Sequence, residues 1–187
     1  ITCCKSLGYG GGVMNAKCVD CDICFNTSVQ SGAGAYRAHL VASRIFGNES
    51  GKDGGGAHQT KVVGGCCVYG NTAKGSGGGV SNMYKDKNGV AQAWLYNSTV
   101  ISNKAATGGG VYNMVITNCT VAFNTAANGG GVAHISEILD SWVTNNVATS
   151  GTGGGGGIYA SSTDNAVTVK RCEIAGNFTA GKGGGTC

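Results

Sequence analysis

Proline is absent from the 187 residues, charged side chains make up only 12% and aromatic ones 7%. An average chain carries ~5% proline, so here glycine alone is left to punctuate regular structure. The scarcity of charge argues against a nucleic-acid partner. The net charge of +4 is spread thinly along the sequence, whereas a nucleic-acid footprint needs Lys and Arg clustered on one face. No apolar run approaches the ~18 residues of a membrane helix, so no membrane insertion by this segment is expected. No signal peptide is legible. The first residue is Ile1, which reads as a processed chain or a fragment.

What is abundant is glycine, 36 residues of it, and it recurs in register with apolar residues rather than at random. The stretch "ITNCTVAFNTAANGGGV" (116–132) returns as "LYNSTVISNKAATGGGV" (95–111), "VGGCCVYGNTAKGSGGGV" (63–80) and "VKRCEIAGNFTAGKGGGT" (169–186). Looser copies begin at Cys18 and Leu40, and "ILDSWVTNN" with "GGGGGI" completes the set. Self-similarity at a fixed period is the signature of a repeat architecture and takes precedence over any local motif.

Marking each copy by the last glycine of its triad gives Gly12, Gly34, Gly56, Gly79, Gly110, Gly131, Gly157 and Gly185, at steps of 22, 22, 23, 31, 21, 26 and 28. A base period of 21–22 is too short for two packed helices and lacks their 3.6-residue apolar spacing. It suits one coil of a β-solenoid, expected as three short strands joined by turns. The columns agree. Cys18, Leu40, Val63, Leu95, Ile116, Ile138 and Val169 align, as do Ile23, Ile45, Val68, Val100, Val121, Val143 and Ile174, with freely varying residues beside them. Fixed apolar positions alternating with free ones mark a strand with one buried face. The expected fold is therefore all-β, a single solenoid of about seven coils of 21–31 residues over 1–187. Stacking at ~4.8 Å per coil gives a rod on the order of 35 Å long.

A column of asparagines is the sharpest feature: Asn26, Asn48, Asn71, Asn103, Asn124, Asn146 and Asn177. An amide recurring beside an apolar core needs a partner, since an unsatisfied buried one costs ~1–3 kcal/mol. Stacked amides supply partners to each other as an Asn ladder. The marker glycines, about eight residues later, are read as turn positions that need φ > 0 or close backbone approach.

The pairing of an x-x-N element with a G-G-x-[apolar] element, as in "TVAFNTAANGGGV", resembles the polymorphic outer-membrane protein (Pmp) repeats of chlamydial surface proteins, which use F-x-x-N and G-G-[AG]-[ILV]. In this chain the phenylalanine position holds Ile45, Val68, Val100, Val121, Val143 or Ile174. The resemblance spans essentially the whole chain. It implies a right-handed parallel β-helix of the pectin-lyase-like kind, outside the cell or at its surface.

The isolated motifs are weaker than the repeat. "CVDCDIC" has metal-like spacing, but Cys18 and Cys21 occupy inward positions held elsewhere by Leu and Ser, so no metal or other cofactor is expected. Cys3 falls over Phe25, one position from Cys24 in the next coil, which makes Cys3–Cys24 a candidate disulfide. Cys187 lies at the far end of the rod from Cys4, and the two are candidate contacts between subunits stacked end to end. Acids that share a column stand five or six coils apart, and His39, His58 and His134 fall in different columns. No carboxylate pair, triad or three-His site assembles on this register, and no enzyme is expected. The neighbours Asp22 with Arg44 and Asp140 with Arg171 read as surface ion pairs. Binding, if any, is sought on the insertion from Tyr84 to Trp94, on the insertion from Ser162 to Thr168, and on an outward column containing Tyr36, Tyr112 and Tyr159. These aromatics could stack on cell-surface glycans, or simply pack on their neighbours. Both chain ends fall mid-coil with no polar cap, and uncapped strand edges invite pairing with another copy. The expected role is structural or adhesive and extracellular, as a filament subunit stacking head to tail or an adhesin stalk. A glycan-binding or polysaccharide-degrading β-helix is the competing class.

Overall fold

The computed structural model describes residues 1–84, 87, 91–150, 154–161, 166–181 and 183–184. Its strands are all short and all paired in parallel, and the described residues contain no helix. No helix is therefore long and apolar enough to cross a membrane, which leaves strand-built membrane proteins aside. The chain winds as a parallel β-solenoid of about seven turns.

Each coil has four faces rather than the three expected from the period. The first face stacks Val13–Met14, Ala35–Tyr36, Ala57–His58, Val80–Ser81, Val111–Tyr112, Val132–Ala133 and Ile158–Tyr159. The second runs from Lys17–Val19 to Thr168–Lys170, and the third from Asp22–Cys24 to Glu173–Ala175. The fourth runs from Lys5–Ser6 to Phe178–Thr179. The extra face arises because the second and third are separated by only two residues, the first of them in the left-handed region. Asp20, Ala42, Asn97, Asn118, Asp140 and Arg171 all have φ near +50° at this corner. A one-residue kink breaks a strand without leaving a loop that the sequence would advertise.

The same device makes the other corners, with Asn15, Arg37, Gln59, Asn113 and His134 at one and Phe25, Ser102, Phe123 and Asn145 at another. Only the corner before the first face is all glycine. There a Cβ on Gly108 would lie 2.5 Å from the Val111 carbonyl oxygen, whereas one on Gly70, at the corner after the third face, would meet nothing within 4 Å. The left-handed conformation is tolerable for a side chain pointing to solvent. It is not tolerable for one pointing into backbone.

Pairing is in strict register, for example Leu95 on Ile116 and Val100 on Val121. The inward columns make one continuous core from Val13 to Ile158. Leu40, Val63, Leu95, Ile116 and Ile138 are fully buried within it. A one-residue slip would turn these side chains outward, so the apolar columns fix the register. The insertions that follow Val80–Ser81 and Ile158–Tyr159 leave the solenoid at one corner, between the first and second faces.

Candidate functional site

The seven asparagines stand at the start of the fourth face, and their amides form an unbroken ladder. In each rung the side-chain Oδ1 accepts both the backbone N–H and an Nδ2–H of the asparagine one coil before it, all at 2.9–3.0 Å. Each Nδ2 also donates to a carbonyl in the preceding coil, such as Asn124 to Val100 at 2.9 Å and Asn146 to Val121 at 2.9 Å. From Asn26 to Asn146 both amide hydrogens and the amide oxygen are thus met by the coils on either side. At the start of the stack the Asn position is Cys4, whose N–H donates to Asn26 Oδ1 at 2.9 Å.

The marker glycines serve this ladder. A Cβ on Gly12, Gly34, Gly56, Gly79, Gly110 or Gly131 would fall 2.7–3.2 Å from a ladder amide. The left-handed turn is made two residues earlier, at Gly10, Gly32, Gly54, Gly77, Gly108 and Gly129. The triad therefore splits its work: its first member bends the chain, and its last gives room to the amide column and to the carbonyl of the next coil's glycine, which would lie 2.4–2.9 Å from a Cβ. Gly157 stays in register, its N–H donating to Gly184; Gly185 lies outside the described residues.

A second ladder runs through a column of small residues: Cys21, Ser43, Cys66, Ser98, Cys119, Ser141 and Cys172. Each hydroxyl or thiol donates to the carbonyl two residues back, as Ser98 does to Tyr96 at 2.8 Å and Cys119 to Thr117 at 3.2 Å. Each serine hydroxyl also accepts the N–H of the cysteine one coil earlier, at 3.0–3.1 Å. The alternation follows from chemistry, since oxygen accepts well and sulfur weakly. Burial pushes the Cys66 thiol up and the Cys119 thiol up to about 11, which makes them inert.

Cys3 and Cys24 are both free thiols in the structure, Cys3 exposed and Cys24 buried. Cys3 pairs with the next coil through its backbone N–H to the Cys24 carbonyl at 3.3 Å, and its sulfur lies 3.4 Å from the Thr2 hydroxyl. Cys4 is an exposed free thiol; Cys187 lies outside the described residues. The described residues contain no group of three or more His, Cys, Asp or Glu arranged to hold a metal. Asp22 pairs with Arg44 and Asp140 with Arg171 across adjacent coils. In both pairs the guanidinium hydrogen bond holds the carboxyl below its ordinary range.

The tyrosine column is not an open platform. Tyr36, Tyr112 and Tyr159 do share a column of the first face with Met14, His58, Ser81 and Ala133. Yet Tyr36, His58, Ser81 and Ala133 are all buried. The Tyr36 ring packs against Tyr9 at 4.6 Å and His58 at 5.9 Å, with the Arg37 guanidinium 5.2 Å from its centroid. His134 lies between Tyr112 and Tyr159. Tyr36 is covered by these neighbours, whereas Tyr112 and Tyr159 remain half-buried. Trp94 is exposed on the second face, and Tyr84 is exposed with its hydroxyl 3.2 Å from Gln59 Oε1. Of the two insertions, residues 85, 86, 88–90 and 162–165 lie outside the described residues.

Column spacing separated the histidines but hid what surrounds one of them. His58 Nδ1 lies 2.6 Å from the Ser81 hydroxyl one coil on, with both residues buried. Burial, with the nearby Arg37 charge, depresses the His58 pKa to about 4 against an opposing pull from Asp53. The imidazole is therefore neutral at pH 7. His58 and Ser81 line a pocket with Asp53, Ser76, Met83, Tyr112 and Asn113.

No family model, no curated protein and no solved structure matches the chain.

Proposed function

We propose that the chain is a non-enzymatic structural solenoid of the cell exterior or cell surface, which stacks end to end as a filament subunit or serves as an adhesin stalk. The observation that carries this reading is the unbroken stack: the described coils pair in parallel register face by face, and a ladder of asparagine amides runs from Asn26 to Asn177. The strands at its ends are edges: among the described residues Lys17–Val19 and Thr168–Lys170 each pair on one side only. A parallel strand paired on one side only is a template for a further coil, of this chain or of another copy. The likeness to Pmp repeats, carried by the x-x-N and G-G-x-[apolar] elements, supports the surface location and the right-handed coil.

Negative-stain microscopy of the native protein with and without reductant tests the reading. The expected result is rods that join into fibres of uniform width, with loosening by reductant assigning the junction to Cys4 and Cys187. Short isolated rods, with sedimentation as a monomer at all concentrations, would remove the filament form and leave the stalk.

A further inference from the structure

We propose that the corner joining the first and second faces of the first three coils is a docking surface for an acidic polysaccharide, held through its sulfate or carboxylate groups. Charge is thin along the sequence, but the winding gathers four basic side chains here. Lys17 and His39 are paired neighbours at the start of the second face. Arg37 is the corner residue between the two faces, in the column of Asn15 and Gln59. Lys61 opens the second face of the third coil, where its carbonyl accepts the Trp94 N–H at 2.9 Å. All four basic residues are exposed. Lys17, Arg37 and His39 line an open recess of about 460 Å³ with Asn15 and Ala16.

The patch has one sign. Residues 13–19, 35–41 and 57–64, which form the two faces in these coils, contain no Asp or Glu. Among the described residues the ion pairs Asp22–Arg44 and Asp140–Arg171 use no group of the patch. Arg37 instead donates through Nε to Gln59 Oε1 at 2.8 Å and lies over the Tyr36 ring. The lysines of the fourth face differ, since Lys5 and Lys74 line a recess together with Glu49 and their field is mixed. The size of the patch selects among anionic polymers. Three coils span about 10 Å, and four basic groups over that length fall short of the broad basic face that nucleic acids need. Three Lys or Arg are also fewer than the about 4–8 that mark recognition of anionic lipid. A single acidic sugar chain lying along the rod presents its charges in a row, as the patch does. Trp94 is exposed on the column of Lys17 and His39, one coil beyond Val62, and places an aromatic ring beside the cations. The choice of a polysaccharide rests on the exterior location proposed above.

The test is biolayer interferometry of the intact chain on immobilised heparin, which is sulfated, and polygalacturonate, which is carboxylated. Dextran serves as the neutral polysaccharide, and a short DNA duplex and phosphatidylserine vesicles as the other anions. The expected result is binding to at least one acidic polysaccharide and not to dextran, with the responding polymer identifying sulfate or carboxylate as the group held. Raising salt from about 50 to about 200 mM should weaken heparin binding about tenfold, as expected for roughly three neutralised charges. The triple variant Lys17→Gln, Arg37→Gln, Lys61→Gln should lose about tenfold or more in affinity. A matched variant, Lys52→Gln, Lys74→Gln, Lys104→Gln, removes the same charge elsewhere and should stay within about twofold of the wild type. Should the first variant misfold by circular dichroism, Lys17→Gln and Lys61→Gln taken singly should each weaken binding about threefold. No binding to either acidic polysaccharide, equal binding to dextran, tighter binding to DNA or vesicles, or equal losses in the two triple variants would each overturn the surface. The assay reads the purified chain whatever its location, and filament formation is read by microscopy, so either proposal can fail without the other.

Discussion

Replacing Asn124 by leucine cuts the amide ladder at its centre, and the structure sets the size of the effect. Asn124 Oδ1 accepts from the N–H and Nδ2 of Asn103 at 2.9 and 3.0 Å, and its Nδ2 donates to Val100 and to Asn146 Oδ1. Asn124 is 0% exposed, so water cannot substitute. Leucine leaves the buried Asn103 N–H without its acceptor, at ~1–3 kcal/mol, and removes one hydrogen bond each from the Asn103 amide, which keeps the Val68 and Ile101 carbonyls, from the Val100 carbonyl and from Asn146 Oδ1. It also carries its branch into the space beside Gly110, which already sits close to the Asn124 amide. Summed, the loss is about 3–6 kcal/mol, a large share of the 5–15 kcal/mol that holds an ordinary domain together. The comparison is Asn118→Ala, which removes an exposed amide pair with Asn97 at 2.8 Å and places alanine at a φ of +51°, for about 1 kcal/mol. Urea melts followed by circular dichroism, compared by midpoint because solenoids need not unfold in one step, should place Asn124→Leu far below Asn118→Ala. Equal midpoints would refute the idea that the amides are obligatory.

Other outcomes follow from the same geometry. The folded pKa of His58 lies below its unfolded value of 6.5, at about 4, so the unfolded chain binds the extra proton as pH falls and stability is lost downward from pH 6.5. The loss attributable to His58 is roughly 2 kcal/mol between pH 7 and pH 5, and a His58→Gln chain with an equally steep pH dependence would contradict it. Gly108→Ala, which combines a φ of +62° with a 2.5 Å backbone approach, should cost about 3 kcal/mol. Gly70→Ala, with open space around it, should cost about 1 kcal/mol, and chemical denaturation that ranked the two alike would be inconsistent with the crowding argument. In maleimide labelling mapped by mass spectrometry, exposed Cys67 should react in the folded protein and buried Cys66 and Cys119 only after denaturation. Labelling of native Cys119 would count against the inward column.

Much of this fold is written in one dimension because a solenoid repeats each environment once per coil. Position 116 meets position 95 behind it and 138 ahead, so a column of like residues in the alignment is a column of like residues in space. That made the apolar columns, the asparagine ladder and the pairings Asp22–Arg44 and Asp140–Arg171 legible. The fourth face was not legible, because a corner made by one left-handed residue, with Asp, Ala, Asn or Arg equally accepted, leaves no compositional mark. Nor was the division of labour within the glycine triad, since the sequence shows only that side chains are excluded and not which atom excludes them.

The sequence by itself determined the architecture, through period, inward columns and a polar column that only stacking could satisfy. Tertiary structure decided what depends on neighbours from different columns. It buried Tyr36 beneath Tyr9 and Arg37, and it brought Asp53 and Asn113 to the same pocket as the His58–Ser81 pair. Those residues leave different faces and corners of different coils. Their meeting depends on how side chains lean across a corner, which no column of an alignment records.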